Sequence, residues 1–127
     1  MNEPNATPGQ IVKAAYKTGE YIAEVVESDG RRVLVQVHAV LQHPTQGDLH
    51  HPYDPDAPMF HERRASAFGE KVWVPAAAVK PYDGAIPPYK ETLMTALGTE
   101  MERMDRLQRW AQRSLERLRS LEKDYKG

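Results

Sequence analysis

From Ile11 to Leu41 short apolar runs separated by polar turns read as three strands, the third of which alternates cleanly. Ile11, Val12, Ala14 and Tyr16 open a first strand, and Lys17-Thr18-Gly19-Glu20 makes a turn. Tyr21-Ile22-Ala23-Glu24-Val25-Val26 follows, rich in the β-branched and aromatic residues that suit a pleated surface. Asp29-Gly30 between two apolar runs predicts a hairpin turn with positive φ at both central positions. In the third strand, Arg32 to Leu41, Val33, Val35, Val37 and Ala39 share one face, while Leu34, Gln36, His38 and Val40 share the other. A last strand, Lys71-Val72-Trp73-Val74, is stopped by Pro75, which has no N–H for a ladder. Pro75 to Val79 suits a tight 3₁₀ turn, with Lys80-Pro81-Tyr82 as a closing edge.

A three-stranded meander needs a partner layer or closure to survive in water. Strand, proline-led turn and Val-x-Pro-Tyr complete the pattern of a small SH3-like antiparallel β-barrel. From Tyr89 the period changes to that of a helix: Leu93, Leu97, Met101, Met104, Ala111, Leu115, Leu118 and Tyr125 fall on one stripe. The stripe is long enough to imply either a coiled coil or a break. Gly98 as a C-cap, with Thr99 and Glu102 as a capping box, predicts the break, so the tail is one helix or two. The expected class is α+β, with a barrel over 1–84 and a helical subdomain over 85–127. Residues 1–8 are expected to be a loose arm. Phe60 to Phe68 fits either a short helix or a strand.

Between the third and fourth strands lies a polar, proline-punctuated loop over 42–59. All five histidines fall between His38 and His61. A loop of this length in a compact domain is uncommon unless it is functional or disordered. His43, His50, His51 and His61 with Asp48 have the donor chemistry of a divalent metal site, but their spacing matches no defined ligand signature. The alternative role is structural, with imidazoles bonded to loop backbone and stacked on proline and Tyr53. Neither a serine in the loop, nor a cysteine, nor a glycine-rich phosphate cradle supports hydrolytic chemistry. No catalytic residue and no cofactor are expected. The helical tail lacks histidine, which excludes it as a phosphohistidine carrier.

Charge narrows the partners. Across 127 residues the formal net charge is −1, so the chain lacks the basic excess a phosphate-neutralising nucleic-acid binder needs. No apolar run reaches the roughly 20 residues that cross a bilayer, so no direct membrane insertion is expected. The N-terminus does not read as a signal peptide, and the cysteine-free sequence fits a cytoplasmic protein. Within the tail, Arg106, Arg109, Arg113 and Arg117 form a row nearly opposite the apolar stripe, with Trp110 at its edge. That row is either a solvated face or a docking face for an acidic partner with Trp110 as anchor. His50, His51 and Tyr53 are the partner-binding candidates of the loop. Tyr16, Tyr21, Trp73 and Tyr82 suggest a groove for a proline-rich peptide, or else core. The apolar stripe would bury itself against the barrel or against a second chain as a homodimer.

Several runs together resemble the kinase-associated protein B family of Bacillus-type bacteria. They are Tyr16-Lys17-Thr18-Gly19, Ala39-Val40-Leu41, His43-Pro44, Gln46-Gly47-Asp48-Leu49-His50-His51-Pro52, Phe60-His61-Glu62-Arg63, Val79-Lys80-Pro81-Tyr82-Asp83-Gly84 and Trp110-Ala111-Gln112-Arg113-Ser114-Leu115. The resemblance implies an SH3-like barrel with a helical C-terminal part and a non-enzymatic accessory role. The implied partner is a sensor histidine kinase of the phosphorelay that leads to sporulation. The family is described as lipoprotein-like, whereas this sequence has no cysteine to carry a lipid; membrane proximity would then come through the kinase. The rival readings are a metal-dependent hydrolase-like enzyme and a small-barrel peptide or RNA binder.

Overall fold

The computed structural model describes residues 6–127. Five strands precede one helix: β1 (Ile11–Tyr16), β2 (Gly19–Ser28), β3 (Arg32–Gln42), β4 (Lys71–Pro75), a 3₁₀ turn at Ala76–Ala78, β5 (Val79–Pro81) and α1 (Tyr89–Lys126). The strands form one antiparallel sheet in the order β4-β3-β2-β1-β5. Its two edges, β4 and β5, are consecutive in sequence and joined only by the three-residue turn. Laid flat, five strands would hold those edges about 19 Å apart, whereas three residues of 3₁₀ helix rise only about 6 Å. The sheet therefore curls until its edges meet at the turn. The ladder stays open there, because among the described residues β4 and β5 do not pair with each other.

Bulges accommodate the curl. The β2–β3 register skips Val26 on β2 and both His38 and Leu41 on β3. Each extra residue bends its strand and sharpens the local twist. The bulge at His38 also breaks the simple alternation expected for β3. Val37 and Val40, three residues apart, end in one buried cluster, so Val40 does not lie on the face assigned to it by alternation. The hairpin before β3 differs too. It is a three-residue turn, Asp29 to Arg31, in which only Gly30 takes positive φ (89°). The Asp29 carboxylate accepts from the N–H groups of Arg31 (3.0 Å) and Arg32 (2.8 Å), and so replaces the second left-handed residue.

Two apolar clusters hold this unit together. Val12, Ala14, Ala23, Val25, Val33, Val35, Val72 and Val74 fill the first, and Tyr21, Val37, Val40 and Ala96 the second. Ala6 packs on the first cluster, and the Gly9 N–H donates to the Val25 carbonyl (2.8 Å). The loose arm is therefore corrected for residues 6–8, which lead into a turn pinned to β2, while residues 1–5 lie outside the described residues. Residues 60–68 are neither helix nor strand. Thr92 ties the start of α1 to the sheet by accepting from the Val40 N–H (3.0 Å) and donating to the Tyr89 carbonyl (2.7 Å).

The described chain divides into two compact units, one ending at Leu97 and the other Gly98–Gly127. α1 nevertheless continues through that boundary without the expected break. Gly98 neither caps nor packs: a Cβ placed there would meet nothing within 4 Å. Its cost against alanine is about 1 kcal/mol, small beside the propagation of a 38-residue helix. An Arg103–Glu100 ion pair (3.0 Å) bridges the turn after it. Gly98→Ala is expected to stabilise the helix by about 1 kcal/mol, read as slower amide hydrogen exchange on both sides of position 98.

Candidate functional site

No strand or helix interrupts the chain from His43 to Glu70, yet this connection is tightly bonded. Its neck is closed where the Gly47 N–H donates to the His61 carbonyl (2.9 Å). Beside it, the Gln46 side chain copies a strand partner. Its Oε1 accepts from the Arg63 N–H (2.7 Å) and its Nε2 donates to the Arg63 carbonyl (2.9 Å). The Arg63 guanidinium returns the contact by donating to the carbonyls of Thr45 and Gly47. Gly47 sits at φ 97°, and a Cβ there would stand 3.1 Å from the Phe60 ring, so the position suits glycine alone. The result is a compact Ω-shaped loop whose ends touch.

Past the neck, the chain crosses the second apolar cluster. Ser66 is buried there, its N–H donating to the Tyr21 hydroxyl (3.0 Å) and its carbonyl accepting from the Tyr89 hydroxyl (2.6 Å). Burial holds the Tyr89 phenol above its ordinary range, with Tyr21 and Glu70 adding to it, so it remains a donor. Between this crossing, β1 and the first turns of α1 lies an open groove of about 750 Å³. Tyr16, Tyr89, Leu93 and Met94 supply apolar wall, and Lys17, Arg64, Glu62 and Glu70 supply charges of both signs. A groove of this size, lined in nearly equal parts by polar and apolar surface, has room for a peptide segment of a partner.

The loop histidines do not converge. His43 bonds the Pro44 carbonyl through Nδ1 (3.0 Å) and lines the groove. His51 pairs through Nδ1 with the Asp48 carboxylate (3.1 Å), while His50 offers that carboxylate only its backbone N–H (2.8 Å). His61 enters by its carbonyl and keeps its ring exposed. Among the described residues no three of His, Asp or Glu are grouped to hold an ion. Tyr53 sits at the exposed tip with φ 63°. His38 lies apart on the sheet, bonded to Glu24 (3.2 Å) and edge-on to Phe68.

The aromatic residues separate in the same way. Tyr21 is core and borders the groove together with Tyr16, whereas Trp73 lies under the Arg32 guanidinium (4.7 Å) and Tyr82 bonds the Ala85 carbonyl (2.7 Å). They do not form the single aromatic groove that one reading of the sequence suggested. On the tail, Trp110 is 67% exposed. Arg106, Arg109, Arg113 and Arg117 are exposed as well, and Arg109 pairs with Asp105 (2.9 Å). Sequence reasoning assigned no site role to Gln46, Arg63, Ser66 or Tyr89. Gln46 and Arg63 fell within runs that carry the family resemblance and Tyr89 follows Pro87-Pro88 at a helix start, whereas Ser66 carried no signal.

The family model described as kinase associated protein B matches residues 16–126. The chain belongs to the kinase-associated protein B family. A curated relative, the kinase-associated lipoprotein B of Bacillus subtilis (strain 168), is 49% identical over 118 residues, spanning 92% of each chain. The X-ray crystal structure of kinase-associated protein B from Bacillus cereus is similar with a TM-score of 0.67 at 42% identity. That similarity covers 95% of this chain and 98% of the other. For this member of the family, no described helix is long and apolar enough to cross a membrane.

Two outcomes are expected for the loop. Gln46→Ala removes both bonds to the Arg63 backbone and should cost about 1–2 kcal/mol, measured by urea unfolding and by faster proteolysis between positions 48 and 60. The Asp48 carboxyl is held below its ordinary range, first by the His50 N–H and then by the His51 side chain. Its contribution is therefore complete above about pH 4 and lost as pH falls through the lowered value. Backbone resonances of residues 48–51 should shift in that acidic window, and Asp48→Asn should abolish the transition.

Proposed function

We propose that this chain is a non-enzymatic interaction module, an accessory of a sensor histidine kinase in the phosphorelay leading to sporulation. Membership of the kinase-associated protein B family supports a kinase as partner. The observation that carries the reading is the tail face on which Trp110 stands two-thirds exposed beside Arg106, Arg109, Arg113 and Arg117. Exposed tryptophan flanked by arginine is the composition of an interface hot spot. With the described residues, Arg106, Arg113 and Arg117 form no ion pair, so their charge is available to an acidic surface.

An accessory alters kinase output by binding one kinase state more tightly than another. A differential of about 1–3 kcal/mol suffices. The exposed loop tip with His50, His51 and Tyr53 offers a second contact. The protein acts on the cytoplasmic side, and any membrane association comes through the kinase.

Trp110→Ala combined with Arg113→Glu removes the anchor and reverses a neighbouring charge without touching a buried residue. Retention on the immobilised cytoplasmic part of the kinase is expected to fall about tenfold or more. Undiminished retention of the variant would remove the tail face from the reading.

A further inference from the structure

Within Gly98–Gly127 the apolar residues keep a seven-residue repeat instead of the 3.6 period of an isolated surface helix. Met104, Ala111, Leu118 and Tyr125 recur at strict sevens, and Met101 and Leu115 stand three residues before Met104 and Leu118. Leu107 and Leu121 flank the same line one position before the intervening seam sites. This is the a/d seam of a left-handed coiled coil with a broadened edge, sustained over four heptads. The seam is bare: Leu115, Leu118 and Tyr125 are exposed, Leu118 by 61%. A heptad seam is shaped for another helix, and α1 is the only α-helix among the described residues.

We infer that the tail pairs, antiparallel, with the tail of a second copy of this chain. Charge supports both the identity and the direction of the occupant. From Gly98 to Gln108 acidic residues outnumber basic ones by three to two, whereas from Arg109 to Lys126 basic residues outnumber acidic ones by six to three. A second copy in reverse sets each acidic half beside a basic half. The residues that border the seam agree. Asp105 lies on the same flank as Arg119 and Lys126, and this flank faces itself in an antiparallel pair, which brings Asp105 toward Arg119 of the other copy. In a parallel pair Glu100 would instead border Asp105 of the other copy, with no attractive flank pair to compensate. The polar seam residues Gln108 and Glu122 select register at a cost in affinity. This seam lies on the side of the helix opposite the Arg106, Arg113 and Trp110 face, so kinase contact and self-association use different surfaces.

The test is the molar mass of the full chain in solution at concentrations on the order of 100 µM, by light scattering on eluted protein. Twice the 14.4 kDa of one chain is expected. Leu115→Glu with Leu118→Glu should weaken self-association on the order of a hundredfold, leaving the amide spectrum of the β unit unchanged. A monomeric native chain overturns the inference, including the case in which the seam binds only the kinase. A dimer that survives the double substitution overturns it as well. The cysteine-free sequence allows the direction to be read directly. Gln112→Cys, near the centre, should cross-link to itself under mild oxidation, and Lys126→Cys, at the end, should not; the reverse result overturns the antiparallel arrangement.

Discussion

Ser66 is held between two tyrosines, and the placement of the crossing segment and of the start of α1 depends on that bracket. The Tyr21 hydroxyl comes from β2 and the Tyr89 hydroxyl from the first residue of α1. Together they satisfy both backbone groups of a residue buried where no strand partner exists. An unpaired buried backbone group would cost roughly 1–3 kcal/mol, enough to push the crossing segment back into water. With the bracket in place the loop returns across the second cluster, the helix start docks beside it, and the groove between them has walls. Gln46 does the same for Arg63 one turn of chain earlier. Side chains replace a missing strand twice within four residues.

Such side-chain partners are needed because the crossing segment joins neither edge of the sheet. A three-residue link between β4 and β5 obliges five strands to curl, and the bulges at Val26, His38 and Leu41 let them do so. Curling buries valines on the inner face and leaves one open end of the sheet, which the crossing segment and the start of α1 cover through Tyr21, Val37, Val40, Leu93 and Ala96. The long loop is thus architectural at its two ends, while its tip at 49–53 stays in solvent.

Gly98–Gly127 follows a different logic. A continuous helix with one apolar line and one arginine-tryptophan face has no interior of its own. Its helical state draws on intrinsic propensity and on i,i+3 and i,i+4 pairs such as Arg103–Glu100, Arg109–Asp105 and Lys126–Glu122, each worth only a few tenths of a kcal/mol. A helix so lightly held by itself gains most from whatever it touches. That is consistent with a family named for an association.

The strands, the 3₁₀ turn and the helical period were readable from local pattern, because alternation, proline and the seven-residue recurrence act on neighbours in sequence. Family membership was readable in the same way, through Gln46-Gly47-Asp48-Leu49-His50-His51-Pro52 and its companions. What the chain does between His43 and Glu70 was not. The bonds of Gln46 to Arg63 and of Ser66 to Tyr21 and Tyr89 join residues 17, 45 and 23 positions apart, and nothing at one end marks the other. The same limit applies to His38, where one extra residue in a register shifts Val40 into the core, and to Gly98, where a helix long enough to absorb the cost runs through a residue that locally signals a stop. Local preferences of about 1 kcal/mol set the elements; the tertiary structure decided which of them yield when many contacts act together.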